Sequence, residues 1–515
     1  MQRKQLTLVI VSLLVVVLSV SLAWFTTQII GKGKDVSVTS TNLQIVFTDT
    51  DGEIAGADIE PGWQKTKTFT VENNSKSEYK YNIVIKDLLN TFVTNGYLQY
   101  KITSTNGGYN MTEFKDIPKS STPKDKILAY SVVIPNGVTQ SYTIEFKYAN
   151  DESVDQSDDM GKKLSGTLFI TEVTEDIYAG YEEGTLGYQI MGDNPTRSTR
   201  SNNNNGTNDF ATPLTTTITG TLFKSTESIT GITDSPKEVY YYAGNTTNNW
   251  VKFAGFYWRI IRTNHDSSIR LLYVGTSHDT TTGNIGTSAF NSSYYSPKYA
   301  GYKYGEDTSL DTIRNNTTDS TIKTFIDSWY KNNLTNYTKY LSTSAVYCND
   351  RSEGTGQTYS VSADFNFASY YRMDWIGDGA KANPSYNCTD IRDAFSIDNT
   401  SAKLTYPVSL MTADEIAFAG GVAFRTMNTP YAWFISNSVG TQVSTYWWSL
   451  SPSAWNVGRA SVWSWNSDVA YLYSLYVVNT HAVRPAISLK SCIKYSTGDG
   501  TSESPYEIVE TSSGC

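Results

Sequence analysis

Tyr446-Trp447-Trp448-Ser449-Leu450-Ser451-Pro452 and, further on, Val483-Arg484-Pro485-Ala486-Ile487-Ser488-Leu489 bracket the stretch whose reading decides the second half of this chain. Trp447, Trp448, Trp463, Ile487 and Leu489 are bulky apolar residues that suit a core. Arg484, directly before Pro485, is expected to fix the final strand, its guanidinium satisfied by buried carbonyls or by a carboxylate. Between the anchors, residues 453–482 are rich in Ser, Asn, Tyr, Val and Leu and show no core-like period. A chain held at both ends in this way is expected to leave the core and return, folded into a ribbon by a turn at Asn466-Ser467-Asp468. Antiparallel pairing about that turn would bring Asn456 and Arg459 beside Tyr476 and Asn479. Tyr471 and Tyr473, two apart on a strand, would share a face.

The candidate ligand-binding residues are Asn456, Arg459, Tyr471, Tyr473, Ser474, Tyr476, Asn479 and His481. Tyrosine offers rigid amphipathic contact area, and small polar residues offer adaptable hydrogen bonds, which is the chemistry of a contact surface. The plain alternative is a polar loop with a few exposed aromatics. The whole chain carries 37 Tyr and 12 Trp but only 18% charged residues. Strand-rich proteins favour aromatics in any case.

Working outward, residues 222–510 read as an α+β domain. Strands are expected at 238–242, 250–262 and 269–274. Ile322, Phe325, Ile326, Trp329 and Tyr330 fall on one helical stripe, with Asp319 or Ser320 as cap. Thr412-Ala413-Asp414-Glu415 has capping-box spacing, and Gly420-Gly421 supplies a stop. Four segments, Phe253-Ala254-Gly255-Phe256-Tyr257-Trp258-Arg259-Ile260-Ile261-Arg262, Leu410-Met411-Thr412-Ala413-Asp414-Glu415 and the two bracketing segments, together resemble a known bacterial group. It is the branch of the C-type-lectin-like fold that also contains formylglycine-generating-enzyme-like domains. The bracketing pair resembles the closing region of variable proteins of diversity-generating retroelements. That resemblance implies a fixed lectin-like frame whose exposed residues are rewritten by adenine-directed mutation. It also implies that Trp455, Trp463 and Trp465 belong to the frame or were never targets, because mutated Asn codons ending in a pyrimidine cannot encode Trp.

Catalysis finds little support in the sequence. His265, His278 and His481 are scattered and not at metal-ligand spacing. No Gly-x-Ser-x-Gly elbow, phosphate loop or dinucleotide fingerprint is present. A formylglycine-generating enzyme needs a reactive cysteine pair near its C-terminus, and no matching motif is found. Asp374 and Asp378 read as a solvated turn in preference to a calcium site. The expectation is therefore a non-enzyme without cofactor or metal.

The four cysteines, Cys348, Cys388, Cys492 and Cys515, form no CxxC pair. Export would oxidise them, and pairing Cys348 with Cys388 and Cys492 with Cys515 closes the shortest loops. Export is expected from the N-terminus. Arg3 and Lys4 precede an apolar run from Leu6 to Phe25. Twenty helical residues rise about 30 Å, enough to span a bilayer core, and the basic flank stays inside. Residues 1–34 are thus a membrane anchor or signal helix. Ser21-Leu22-Ala23 suits a signal peptidase, whereas continuation through Ile29-Ile30 favours retention.

Residues 35–175 read as an all-β sandwich. Tyr79, Tyr81, Ile83 and Ile85 alternate with polar partners, as do Leu98, Tyr100 and Ile102, and Tyr142, Ile144, Phe146 and Tyr148. Turn signals separate the runs, among them Pro61-Gly62, Asn106-Gly107-Gly108 and Asn136-Gly137. With Ala23-Trp24-Phe25-Thr26 and the segment from Glu60-Pro61-Gly62 to Asn73, this third is similar to camelysin and biofilm-fibre jelly-roll domains. Residues 176–221, poor in apolar side chains from Asn194 to Thr217, read as a flexible linker.

A net charge of −9 argues against a nucleic-acid partner. The expected function is that of a bacterial cell-surface ligand-binding protein, adhesin- or receptor-like. Its extracellular domains meet a protein or glycan, and the N-terminal helix meets the membrane. The alternatives are a structural fibre protein polymerising through the sandwich and a degenerate formylglycine-generating-type enzyme.

Overall fold

The computed structural model describes residues 36–40, 43–49, 59–74, 77–173, 177–200, 209–278, 283–373, 382–425, 446–467 and 470–515. Residues 1–34, Asp374, Asp378 and Asp468 lie outside the described residues, so the expected membrane helix, the acidic turn and part of the expected ribbon turn are not seen. Among the described residues, no helix is long and apolar enough to cross a membrane. The chain divides into two compact units, Met1–Asp176 and Ile177–Cys515, and strands dominate both.

Among the described residues, the first unit holds nine strands, β1 (Val36–Ser40), β2 (Leu43–Asp49), β3 (Gln64–Asn73), β4 (Tyr79–Asn90), β5 (Leu98–Ser104), β6 (Lys115–Asp116), β7 (Ser120–Ile134), β8 (Thr139–Tyr148) and β9 (Leu164–Glu172). They form a six-stranded sheet in the order β1-β2-β3-β8-β5-β6 and a three-stranded sheet in the order β7-β4-β9. The alternation read from the sequence is what joins them. Phe69, Val71, Ile102, Ile144 and Phe146 from one sheet share a core with Tyr81, Ile83, Ile85, Ile134 and Ile170 from the other. This is the packing of a β-sandwich. The tight turns use glycines at positive φ, with Gly62 at 94° and Gly137 at 69°, where a side chain would be strained.

The second unit begins earlier than the sequence suggests. The stretch expected to be a linker is folded into it. Helix Leu186–Asp193 is capped by Thr185 and buries Leu186, Ile190 and Met191. Strand Thr196–Thr199 pairs in parallel with Thr221–Glu227. Phe210 packs in a cluster with Phe223, Tyr241 and Phe418. Apolar side chains are few here, but several are buried, and backbone pairing supplies further support. Of the linker, Asp176 and residues 201–208, the Asn tract, stay outside the described set.

Two sheets organise the unit. In the first, the strand Pro485–Leu489 lies between Ile269–Gly275 and Val408–Leu410; it is not the final strand that was expected, because Tyr495–Thr497 and Tyr506–Ile508 follow it. Arg484 locks it by donating twice to the Tyr273 carbonyl, at 3.1 and 3.3 Å, which selects the carbonyl option foreseen for this guanidinium. In the second, Tyr446–Asn456, Arg459–Asn466 and Tyr471–Tyr476 form an antiparallel meander. The main helix runs Thr321–Asn333, with Ser320 as cap and Ile322, Ile326 and Tyr330 buried. Both expected disulfides are present, Cys348–Cys388 and Cys492–Cys515, as suits an oxidising compartment.

The helix Ala413–Phe418 carries the expected capping box, and its Glu415 does more than cap. One carboxylate oxygen accepts from the Thr412 backbone at 2.9 Å. The other accepts from Arg262 at 2.8 Å and Arg270 at 2.6 Å, and Arg262 also binds Glu227 at 2.8 Å. All four side chains are buried. Burial alone would raise the Glu415 carboxyl, but Arg270 and Arg262 outweigh it and hold it below the ordinary glutamate value. Glu227 is held down in the same way by Arg262 and His265.

Replacing Glu415 with Ala leaves two buried guanidinium groups short of a partner, and is expected to cost about 3–5 kcal/mol in urea unfolding of the second unit. Because both folded carboxyls titrate below their unfolded values, their support is complete above about pH 4.5 and is lost as the pH falls below it. The melting temperature is expected to drop on acidification, less steeply in Glu415→Ala. Non-reducing peptide mapping should recover the two disulfides, and a Cys348–Cys515 peptide would break the assignment. Reduction should cost about 2–5 kcal/mol per bridge, read as a lower unfolding midpoint.

Candidate ligand-binding cleft

The stretch 453–482 does not leave the core as a ribbon. Strand Arg459–Asn466 is buried on both faces after Arg459, with Val462, Trp463 and Trp465 each fully covered. Its lack of a period arises because a strand sandwiched on both sides has no wet face. Trp447, Trp448 and Trp455 are equally covered. Only the ends and the third strand reach the surface. A second turn, absent from the sequence reading, sits at Val457-Gly458, where Asn456 pairs with Arg459 and Gly458 takes φ 86°. Such two-residue hairpin loops need a residue that tolerates positive φ.

The far side of the meander borders an open cleft of about 440 Å³. Asn456, Tyr473, Ser474, Tyr476 and Asn479 of the candidate residues line it, together with Asn366, Tyr370, Phe424, Ala454, Ser461 and Leu475. Arg459 stands beside it, donating to the Tyr476 hydroxyl at 3.0 Å with its guanidinium 5.1 Å from that ring. The expected neighbourhood of Arg459 and Tyr476 is therefore present. Tyr471 meets Tyr473 edge-on at 5.8 Å but does not line the cleft. His481 lies apart, half-buried against Tyr446 and Trp448. Burial lowers its pKa to about 4, so it is neutral at physiological pH.

Local structure explains the placements. Phe365 pairs with Trp455, which carries Asn366 and, on the following helix Ala368–Met373, Tyr370 to the rim. Tyr370 stacks on Trp463 at 5.7 Å. Phe424 is set by two backbone bonds across Leu472, from the Phe424 amide to the Leu472 carbonyl and from the Leu472 amide to Val422. Ser474 hydrogen-bonds Ser453 at 2.7 Å. Sequence reasoning missed Asn366, Tyr370 and Phe424 because only strand pairing brings them near, and no local pattern announces it.

One feature sets this region apart. Among the described residues of the second unit, the exposed large apolar or aromatic side chains are Tyr295, Val361, Tyr371, Val457, Tyr473 and Tyr476. Tyr473 and Tyr476 line the cleft, and the other four lie outside its lining. Tyr295, 71% exposed, follows Tyr294, whose carbonyl accepts from Ala460. Val361 precedes Asp364, which holds the Val457 amide. Tyr371 adjoins Tyr370.

No family model matches the chain, and no curated protein matches it. A solved structure titled "AvmM Catalyzes Macrocyclization in Alchivemycin A Biosynthesis" is similar to 28% of this chain and 98% of its own, at 11% identity and a TM-score of 0.15. A likeness of that size carries no argument about fold or activity.

The division between covered tryptophans and open tyrosines has an energetic consequence. Trp463→Ala is expected to cost about 3–5 kcal/mol, whereas Tyr473→Ala should cost under about 1.5 kcal/mol, mostly its ring contacts. Denaturant titration of the two variants measures both, and equal costs would overturn the division.

Proposed function

We propose that this is a bacterial cell-surface ligand-binding protein, presenting its second unit as a lectin-like module that grips a protein or glycan through the cleft. The observation that carries the reading is one concave site whose lining includes the exposed tyrosines Tyr473 and Tyr476 beside Tyr370 and Phe424. Scattered surface aromatics need no explanation, but a cluster bordering a cleft marks an interaction site. The frame-and-face division expected of a diversity-generating-retroelement variable protein fits the same arrangement. Tryptophans that such mutation could not write are covered, and Asn, Ser and Tyr face the opening. The disulfides support a place outside the cell, and the basic flank with its apolar run supports a membrane anchor. No catalytic constellation enters the reading.

The test uses the full chain against a panel of extracellular proteins and glycans, side by side with a variant carrying Tyr471→Ala, Tyr473→Ala and Tyr476→Ala. The wild type is expected to capture at least one panel member and the variant to lose it, with a melting temperature lower by only a few degrees. A variant that fails to fold, or one that keeps its partner, overturns the reading.

A further inference from the structure

We infer that the cleft takes a neutral, hydroxyl-rich ligand, a short saccharide, and holds it without a metal ion. The inference rests on reading the cleft as a binding site and adds what that site is built to hold. Four rings border it, those of Tyr370, Phe424, Tyr473 and Tyr476. Among them stand three carboxamides, of Asn366, Asn456 and Asn479. No hydrogen bond from these three side chains to any described residue is formed, whereas Asn349, elsewhere in the unit, donates to the Leu450 carbonyl at 2.7 Å.

A pyranose has two kinds of surface, C–H faces and a hydroxyl edge. Aromatic rings cover the first by apolar contact. Carboxamides suit the second, because each donates and accepts, as every sugar hydroxyl does. Amides left to water in the free protein exchange water for hydroxyl at little cost. The volume, about 440 Å³, falls within the range of small-molecule sites.

Charge narrows the choice further. No Asp, Glu, Lys, Arg or His is among the described residues lining the cleft. Arg459 stands outside the lining, its guanidinium directed at the Tyr476 hydroxyl and ring. Among the described lining residues an anionic ligand therefore finds no countercharge. Without a carboxylate among the described lining residues, a hard cation such as calcium would find only neutral carbonyl oxygens there, with no anionic ligand to offset its charge, so sugar hydroxyls are expected to meet side chains directly.

The experiment applies the full chain to an array of printed neutral and anionic glycans, with and without EDTA, and confirms hits by titration calorimetry. Binding to a neutral glycan, unchanged by EDTA, is expected. Tyr476→Ala and Asn456→Ala should each weaken it about tenfold or more, while Tyr295→Ala, outside the cleft, should leave it within about twofold. Binding confined to anionic glycans, or abolished by EDTA, overturns the inference. If a protein from the panel binds in place of any glycan and Tyr476→Ala loses it, the saccharide assignment falls and the binding-site reading stands. If nothing binds, or the cleft variants bind as the wild type does, both fall.

Discussion

A single buried carboxylate, that of Glu415, holds the second unit in register. It caps its own helix through the Thr412 amide and meets Arg262 and Arg270 from two neighbouring strands. Charges so deeply buried are costly unless they are paired and hydrogen-bonded. Each partner is therefore fixed by the others, and helix and sheet cannot shift independently. Asp393 plays the same part elsewhere in the unit. It accepts from Arg314 at 2.8 Å and from the Arg351 side chain and amide at 2.7 and 2.9 Å.

This rigidity explains how the cleft can be open. The walls are held by groups that take no part in it: the stacked Trp463 beneath Tyr370, the backbone bonds fixing Phe424, and the pairing of Phe365 with Trp455. Side chains facing the opening are then positioned without having to contribute much packing. Preorganisation of this sort lowers the entropy lost on binding.

Much of the frame was legible from the residues. Local rules read the two helices and their caps, since Ser320 and the Thr412–Glu415 box act within one helical turn. Period-two alternation read the sandwich, because each strand there has one core face. Shortest-loop reasoning found both disulfides. Where the sequence misled, a long-range contact had overridden a local pattern. Residues 177–200 look polar yet are folded, because a few apolar side chains find distant partners and the backbone joins a sheet. Strand Arg459–Asn466 looked aperiodic because it is covered on both sides. Five of the eight candidate residues share the cleft, while Arg459, Tyr471 and His481 lie beside or away from it. Asn366 and Phe424 complete it from segments that no spacing rule connects to the hairpin.

The tight turn at Val457-Gly458 sits at the mouth of this arrangement. Val457 is 57% exposed, and no built Cβ at Gly458 meets another atom. A loop tip with open space around it accommodates added length, because lengthening a surface loop costs little closure entropy. Inserted residues here would extend a lip over the cleft while the strands on either side kept their register. The reach of the site is thus adjustable by insertion, separately from its chemistry, which is adjustable by substitution.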